Sequence, residues 1–277
     1  MSAVFDQMMS RYEIKTTEDR QNAIHEVMQQ ITLAALYRTD FFDKAAFYGG
    51  TCLRIFYDLQ RFSEDMDFSL LEKDDSFNLE KYFDAIKNEF NAHGREIVIT
   101  RKTKTPNTNI ESAFLKDNTE LYNIAFQTQP SVKIKIEVDT DPPPGFNTEY
   151  KLLLLPFSFM TRCFTLPGLF AGKMHAFLFR NWKNRVKGRD WYDLEWYVRN
   201  EYKLDFNHFI ERCNQNNKVL PNNFTHDEFI SLVKKRISET NIERVKADVS
   251  PFVKNINELE IWSTEYFLNL CELIKFE

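Results

Sequence analysis

The chain has 277 residues and a formal net charge of −5 at pH 7, long enough for one large or two smaller domains with a real core. Only 7 Gly and 9 Pro argue against a flexible linker or low-complexity tail, and 26 Phe supply core material. No apolar run approaches the roughly 20 residues of a membrane-spanning helix, MSAVFDQMMSRYEIK lacks the pattern of a secretory signal, and Cys52, Cys163, Cys213 and Cys271 form no C-x-x-C pair, so reduced thiols in a cytoplasmic protein are expected.

In chain order, residues 19–38 carry Ile24, Val27, Met28 and Ile31 at helical spacing and predict a helix packed across a sheet. Residues 45–48 read as a short strand entering a glycine turn, 51–59 as a helix and 66–71 as a second strand. Residues 77–93 read as a helix with Leu79, Phe83, Ile86 and Phe90 on one side, stopped by Gly94. Strands are expected near 96–100, 110–115, 131–139 and 150–155, with DPPPG at 141–145 as a break. After Pro167 the pattern turns helical: 168–182, 189–199, 205–215, 226–238 and 256–274. The expected fold class is α/β (α+β), with a mixed sheet and flanking helices over 1–160 and an α-helical domain over 161–277.

Residues 48–68, YGGTCLRIFYDLQRFSEDMDF, carry the first chemistry. Gly49, Gly50 and Thr51 open a short amphipathic helix, and the segment ends at Arg61, Ser63 and an Asp-x-Asp pair, Asp65 and Asp67. On a strand both carboxylates share a face, about 6–7 Å apart. Facing a glycine-rich helix start, such a pair can hold Mg²⁺ against the phosphates of a nucleoside triphosphate. Metal-dependent nucleotidyl transfer is the reading this suggests.

Two further segments bear on it. In VKIKIEVDT (132–140), four aliphatic residues alternate with Lys133, Lys135, Glu137 and Asp139, a half-buried strand whose charges by pattern alone simply face water. A third carboxylate would complete a two-metal site; Glu137 is the choice and Asp139, on the same face, the reserve. In 166–198, Lys173 projects from the apolar helix FAGKMHAFLF, where it needs either an anion or a head in water. Asp190 and Asp193, in RDWYD, precede an aromatic helix and read equally as first-turn acids. Trp182, Trp191 and Trp196 could stack on bases but sit at core spacing, and the five His show no ligand spacing. Basic runs at 180–189 (Arg180, Lys183, Arg185, Lys187, Arg189) and at Arg95, Arg101, Lys102 and Lys104 could meet RNA or be ordinary solvated surface.

Taken in this order, FYGGTCLR with RFSEDMDF, then KIEV, then GKMHAFLFR with KGRDWYDL resemble the AbiEii/AbiGii toxin family of nucleotidyltransferases, within the DNA polymerase beta-like superfamily. The motifs span 47–198. The superfamily places a Gly followed by Gly or Ser about ten residues before Asp-x-Asp; Gly50-Thr51 fits best, with thirteen residues between Thr51 and Asp65. The resemblance implies that Gly50 and Thr51, with Gly49, contact phosphates and that Asp65 and Asp67 bind metal. It implies that Glu137 is the third acid, where relatives often carry Asp, that Lys173 binds phosphate, and that Asp190 is the fourth-motif acid supported by Asp193. Ser63 would orient the metal-binding loop, and Arg61 would bind phosphate or pair with an acid. It further implies Mg²⁺ or Mn²⁺ and an NTP as cofactor and substrate, transfer of a nucleoside monophosphate to an acceptor, with the 3′ end of tRNA favoured as in some relatives, growth inhibition in a toxin–antitoxin or abortive-infection system, and a cognate antitoxin. A small-molecule or protein acceptor, or a nucleotide- or RNA-binding module that has lost catalysis, are the competing readings.

Overall fold

A computed structural model describes residues 3–101, 119–126, 133–180 and 186–277. The expected strand at 110–115, residues 131–132, Trp182, Lys102, Lys104, Lys183 and Arg185 lie outside these described residues. Two compact units are present: one made of residues 1–58, 62–142 and 148–163, the other of 59–61, 143–147 and 164–277. Among the described residues no helix is long and apolar enough to cross a membrane.

The first unit begins with helices α1 (Ala3–Met9), α2 (Thr17–Tyr37) and α3 (Phe41–Lys44). Thr16 and Asp19 form a reciprocal capping box that fixes where α2 starts. Strand β1 (Ala45–Tyr48) leads directly into α4 (Gly49–Phe56), and β2 (Asp65–Leu70) follows. A 3-10 turn over Leu79–Tyr82 precedes α5 (Phe83–Ala92), and Gly94 ends it at φ +66°. Strands β3 (Ile97–Arg101), β4 (Thr119–Phe126), β5 (Lys133–Asp139), β6 (Thr148–Leu153) and β7 (Phe159–Phe164) complete the unit.

The sheet order is β3-β4-β5-β2-β1-β7-β6. β1 runs antiparallel to β2, and β2 parallel to β5. β3–β4 and β4–β5 are antiparallel, and β1–β7 is parallel, so the sheet is mixed. The register decides which residues share a face: Asp65 lies opposite Lys135, Asp67 opposite Glu137, and Ser69 opposite Asp139. The alternate residues Met66, Phe68, Ile136 and Val138, with Phe47 of β1, are fully buried with Val27, Met28 and Ile31 of α2 and Ile86 and Phe90 of α5. The pattern of two in each strand thus makes one face core and leaves the other, with its carboxylates, half-buried.

The second unit holds α6 (Leu166–Phe179), α7 (Gly188–Arg199), α8 (Phe206–Gln215), α9 (His226–Ser238), α10 (Ile242–Val249) and α11 (Thr264–Cys271), with a two-strand parallel pair β8 (Lys203–Leu204) and β9 (Lys275–Phe276). Its core is aromatic: Phe170 stacks on Tyr197 at 4.2 Å, and Trp191 meets Phe267 edge-on at 4.8 Å. Trp191 and Trp196 are therefore core residues, buried below the surface where bases could stack. A Cβ at Gly188 would overlap the Val245 carbonyl, so glycine is what lets α7 and α10 pack closely.

Several expected boundaries move. The segment 256–274 is a 3-10 turn (Ile256–Leu259) and a separate α11, not one helix. β7 occupies residues placed in no element by the pattern, because FMTRCF has too little alternation to announce a strand. The helix expected from residue 51 already begins at Gly49, since the two glycines form its first turn rather than a preceding loop.

Candidate active site

In the first unit the site grows from the junction of β1, α4 and β2. Tyr48 lies opposite Asp67, so the chain turns into α4 directly beside that carboxylate. Gly49 has φ +83°, a left-handed conformation that favours glycine, and a Cβ there would overlap Asp67 Oδ2. The first turn of α4 therefore packs its bare backbone against Asp67. Helix N-termini leave N–H groups without intrahelical partners and carry partial positive charge. Thr51, fully buried, donates its hydroxyl to the Asp65 carbonyl and locks α4 to the start of β2.

Supports for this junction come from α2. Gln29 is buried and donates from Nε2 to the carbonyls of Ser63 (3.0 Å) and Glu64 (3.1 Å), fixing the backbone just ahead of Asp65. Glu26 accepts from Arg54 Nε at 2.9 Å and from the Tyr12 hydroxyl at 2.9 Å, tying α4 to α2. Burial first, then Glu26, pushes the Tyr12 hydroxyl far above its ordinary pKa. His25 is held below its ordinary pKa by burial, against the opposing pull of Glu64 and Asp65. The sequence reading did not single out Gln29 or Glu26; the available signal was a polar residue, Gln29, beside Met28 in an otherwise apolar helix face.

Asp65, Asp67 and Glu137 share the half-buried face by register. Glu137 is paired with Lys135, two residues earlier on the same strand. Asp139, one step further along, accepts from the Asp141 amide at 3.1 Å. Among the described residues no three His, Cys, Asp or Glu side chains stand gathered as a metal-holding group. The donor set nonetheless suits a hard cation: carboxylate oxygens on neighbouring rigid strands, on an accessible face, with a bare glycine backbone alongside.

The second unit brings Arg61, Lys173, Arg180, Asp190 and Asp193 together. Arg61 donates to both carboxylate oxygens of Asp193, Nε to Oδ1 and Nη2 to Oδ2, each at 2.6 Å. Both side chains are sealed from solvent, at 2% and 0% exposure. Lys173 Nζ lies 2.7 Å from Asp193 Oδ2 and 3.5 Å from Asp190 Oδ1, and Arg180 Nη1 lies 3.6 Å from Asp190 Oδ2. Burial would raise the Asp193 carboxyl, but Arg61 and then Lys173 outweigh it and hold it below the usual range. Arg61 thus takes the second of its two expected roles, pairing with an acid. The anion that Lys173 requires in its apolar helix is supplied by Asp193 and Asp190. Neither aspartate caps α7; Asp248 of α10 does so, accepting from the Gly188 amide at 2.8 Å.

A mixed sheet with a glycine-turn helix against an Asp-x-Asp strand, and a helical C-terminal unit, is a fold shared with solved nucleotidyltransferase toxins. The chain belongs to the family described as nucleotidyl transferase AbiEii toxin of the type IV toxin–antitoxin system, whose model matches residues 31–269. Among solved structures, it is similar to MenT4, a nucleotidyltransferase toxin from Mycobacterium tuberculosis H37Rv, with a TM-score of 0.59 at 13% identity, covering 98% of this chain and 89% of that one. It is also similar to JHP933 from Helicobacter pylori, with a TM-score of 0.55 at 18% identity over 91% of each chain. Another solved structure, described as a nucleotidyltransferase from Helicobacter pylori, gives 0.53 at 18% identity, over 91% of this chain and 94% of that one. At these identities the likeness is one of fold. No curated protein matches the chain in sequence.

Proposed function

We propose that the protein transfers a nucleoside monophosphate from an NTP to the 3′ end of an RNA, tRNA being the favoured acceptor, and that this transfer inhibits growth until a cognate antitoxin counters it. The observation that carries the reading is the bare backbone of Gly49 packed on Asp67, with Asp65 and Glu137 on the same sheet face. The acceptor hydroxyl attacks the α-phosphorus, the bond to the β-phosphate oxygen breaks, and pyrophosphate leaves with the hydroxyl proton lost to a base or to water. In this reading Asp65 and Asp67, with Glu137, hold Mg²⁺ or Mn²⁺, which when bound would offset phosphate charge and acidify the attacking hydroxyl. Gly49, Gly50 and Thr51 offer backbone N–H groups to phosphate oxygens. Ser63, whose carbonyl Gln29 anchors, sets the backbone leading into Asp65. In the second unit Lys173, held beside Asp193 and Asp190, is the phosphate contact, and Asp190 orients it.

The test is to incubate purified protein and Mg²⁺ with total tRNA and each α-labelled NTP. Label on RNA supports the reading, and Asp65→Ala or Lys173→Ala abolishes both labelling and growth inhibition. Label on protein redirects the acceptor to self- or target-modification, and label on nothing sinks the proposal.

A further inference from the structure

In the second unit, three cations from other segments gather along α6 and its C-terminal end with no acid among the described residues to meet them. Arg212 of α8 lies at Gly172, where a Cβ would stand 3.8 Å from the guanidinium carbon. Lys218, just past α8, places its ammonium 5.7 Å from the centre of the Phe179 ring. Arg236 of α9 donates from Nη2 to the Arg180 carbonyl at 3.4 Å. At 100° per residue, positions 172 and 179 of a helix fall within about 20° of one another, so the first two contacts share one side of α6, and the third sits just past its C-terminal end.

Their lack of acidic partners among the described residues is specific. Arg61 and Arg54 each meet a carboxylate. Among the described residues, no Asp or Glu comes within ion-pair distance of Arg212, Lys218 or Arg236, although Lys234 and Lys235 nearby in sequence pair with Glu272 and Glu239. The Nε atoms of Arg212 and Arg236 are buried and have no hydrogen-bond acceptor among the described residues. A buried donor left so is unfavourable, and an anion drawn to the guanidinium would offset it.

The spacing selects the anion. From Gly172 to Phe179 a helix rises about 10 Å, longer than one phosphate and long enough to lie along a run of adjacent phosphates on a single strand. Phe179, beside Lys218, is only half-buried, so an aromatic ring lies at the same surface as the cations. An acidic peptide would use the cations but not the ring.

We propose that this side of α6, with Arg212, Lys218 and Arg236, docks the sugar-phosphate backbone of the single-stranded end of an RNA. The inference rests on the reading above that the acceptor is RNA, and it adds residues that lie outside the matching motifs. The strip fixes position and not sequence, since all its contacts are to phosphate or to a ring face.

Anisotropy of labelled tRNA with the full-length protein, without NTP, tests it across a salt series. The Arg212→Gln/Lys218→Gln/Arg236→Gln triple variant binds about tenfold or more weakly at low salt, and the slope of log K against log salt becomes less negative by about 2, three single-strand phosphates at about 0.7 each. An Arg212→Lys/Arg236→Lys variant keeps the slope, which separates charge from folding. An unchanged slope in a triple variant of unchanged Tm overturns the strip. So does a defect confined to a poly-glutamate competitor, which would assign the surface to an acidic protein. Because Asp65→Ala leaves this binding intact, failure of nucleotidyl transfer and failure of the strip are separately visible.

Discussion

Arg61 and Asp193, 132 residues apart in sequence, form a two-pronged ion pair with both contacts at 2.6 Å and no solvent on either side chain. Such a pair recovers its desolvation cost only through near-ideal geometry, and Lys173 adds the third contact that satisfies Asp193. Removing one member strands the other. Arg61→Leu or Asp193→Leu alone should each cost about 3–5 kcal/mol, whereas Arg61→Met/Asp193→Leu together should recover much of that loss. Urea unfolding of the three variants measures it. Equal, small losses in all three would show that the pair does not stabilise the fold.

Gly49 and Gly145 offer a matched comparison. Both have positive φ, +83° and +79°, so alanine pays the left-handed cost of about 1–2 kcal/mol at either place. Around Gly145 a Cβ meets nothing within 4 Å, while at Gly49 it overlaps the Asp67 carboxylate. Gly145→Ala should therefore lose only a few degrees of Tm and retain activity. Gly49→Ala should displace Asp67 and lose nucleotidyl transfer almost entirely. Full activity in Gly49→Ala would remove the backbone–carboxylate contact from the mechanism.

The motif-bearing elements were legible because their physics is local. Alternation placed Met66 and Phe68 inward with Asp65 and Asp67 outward, and the same rule set Ile136 and Val138 against Glu137. Register between β2 and β5 could not be read, since nothing in either strand states which residue faces which; the structure puts Asp67 opposite Glu137. The partners of Lys173 were equally hidden. A lysine in an apolar helix announces that it needs an anion, but Asp193 becomes that anion only when α6 and α7 pack. Gln29 was not legible because one polar residue at the edge of an apolar stripe looks like a stripe boundary. The cations at Arg212, Lys218 and Arg236 are 24 residues apart from first to last and form a surface only through helix packing.

His208 predicts an acid-side loss of stability in the second unit. It is fully buried against the Phe146 and Phe164 rings. Burial, then Arg212, lowers its pKa from 6.5 to about 4, against a smaller opposing contribution from the Pro144 carbonyl. The folded state therefore disfavours the imidazolium. Stability is fully present above pH 6.5, falls as pH drops from 6.5 toward 4, and levels off below, by about 3 kcal/mol. His208→Phe should flatten this part of the pH–stability curve. A slope between pH 6.5 and 4 that survives the substitution would assign it to another group.

The third carboxylate can be decided by substitution at three positions on β5. Glu137 lies opposite Asp67 and Asp139 opposite Ser69, so only Glu137 is level with the Asp-x-Asp pair. Asp139 is also engaged by the Asp141 amide. Glu137→Gln should lower labelling by about 100-fold or more, the usual scale for losing one group that stabilises developing charge, while Asp139→Asn stays within a few fold. Lys135 competes for the Glu137 carboxylate, as a cation on the same face two residues away. Lys135→Met removes that competitor, so half-maximal activity should need less Mg²⁺, whereas a lysine that merely solubilises the strand would leave the Mg²⁺ titration where it was. If Asp139→Asn is the inactive variant and Glu137→Gln the active one, the roles are reversed, and β5 must then present its acid one pleat nearer Ser69 than the register with Asp67 implies.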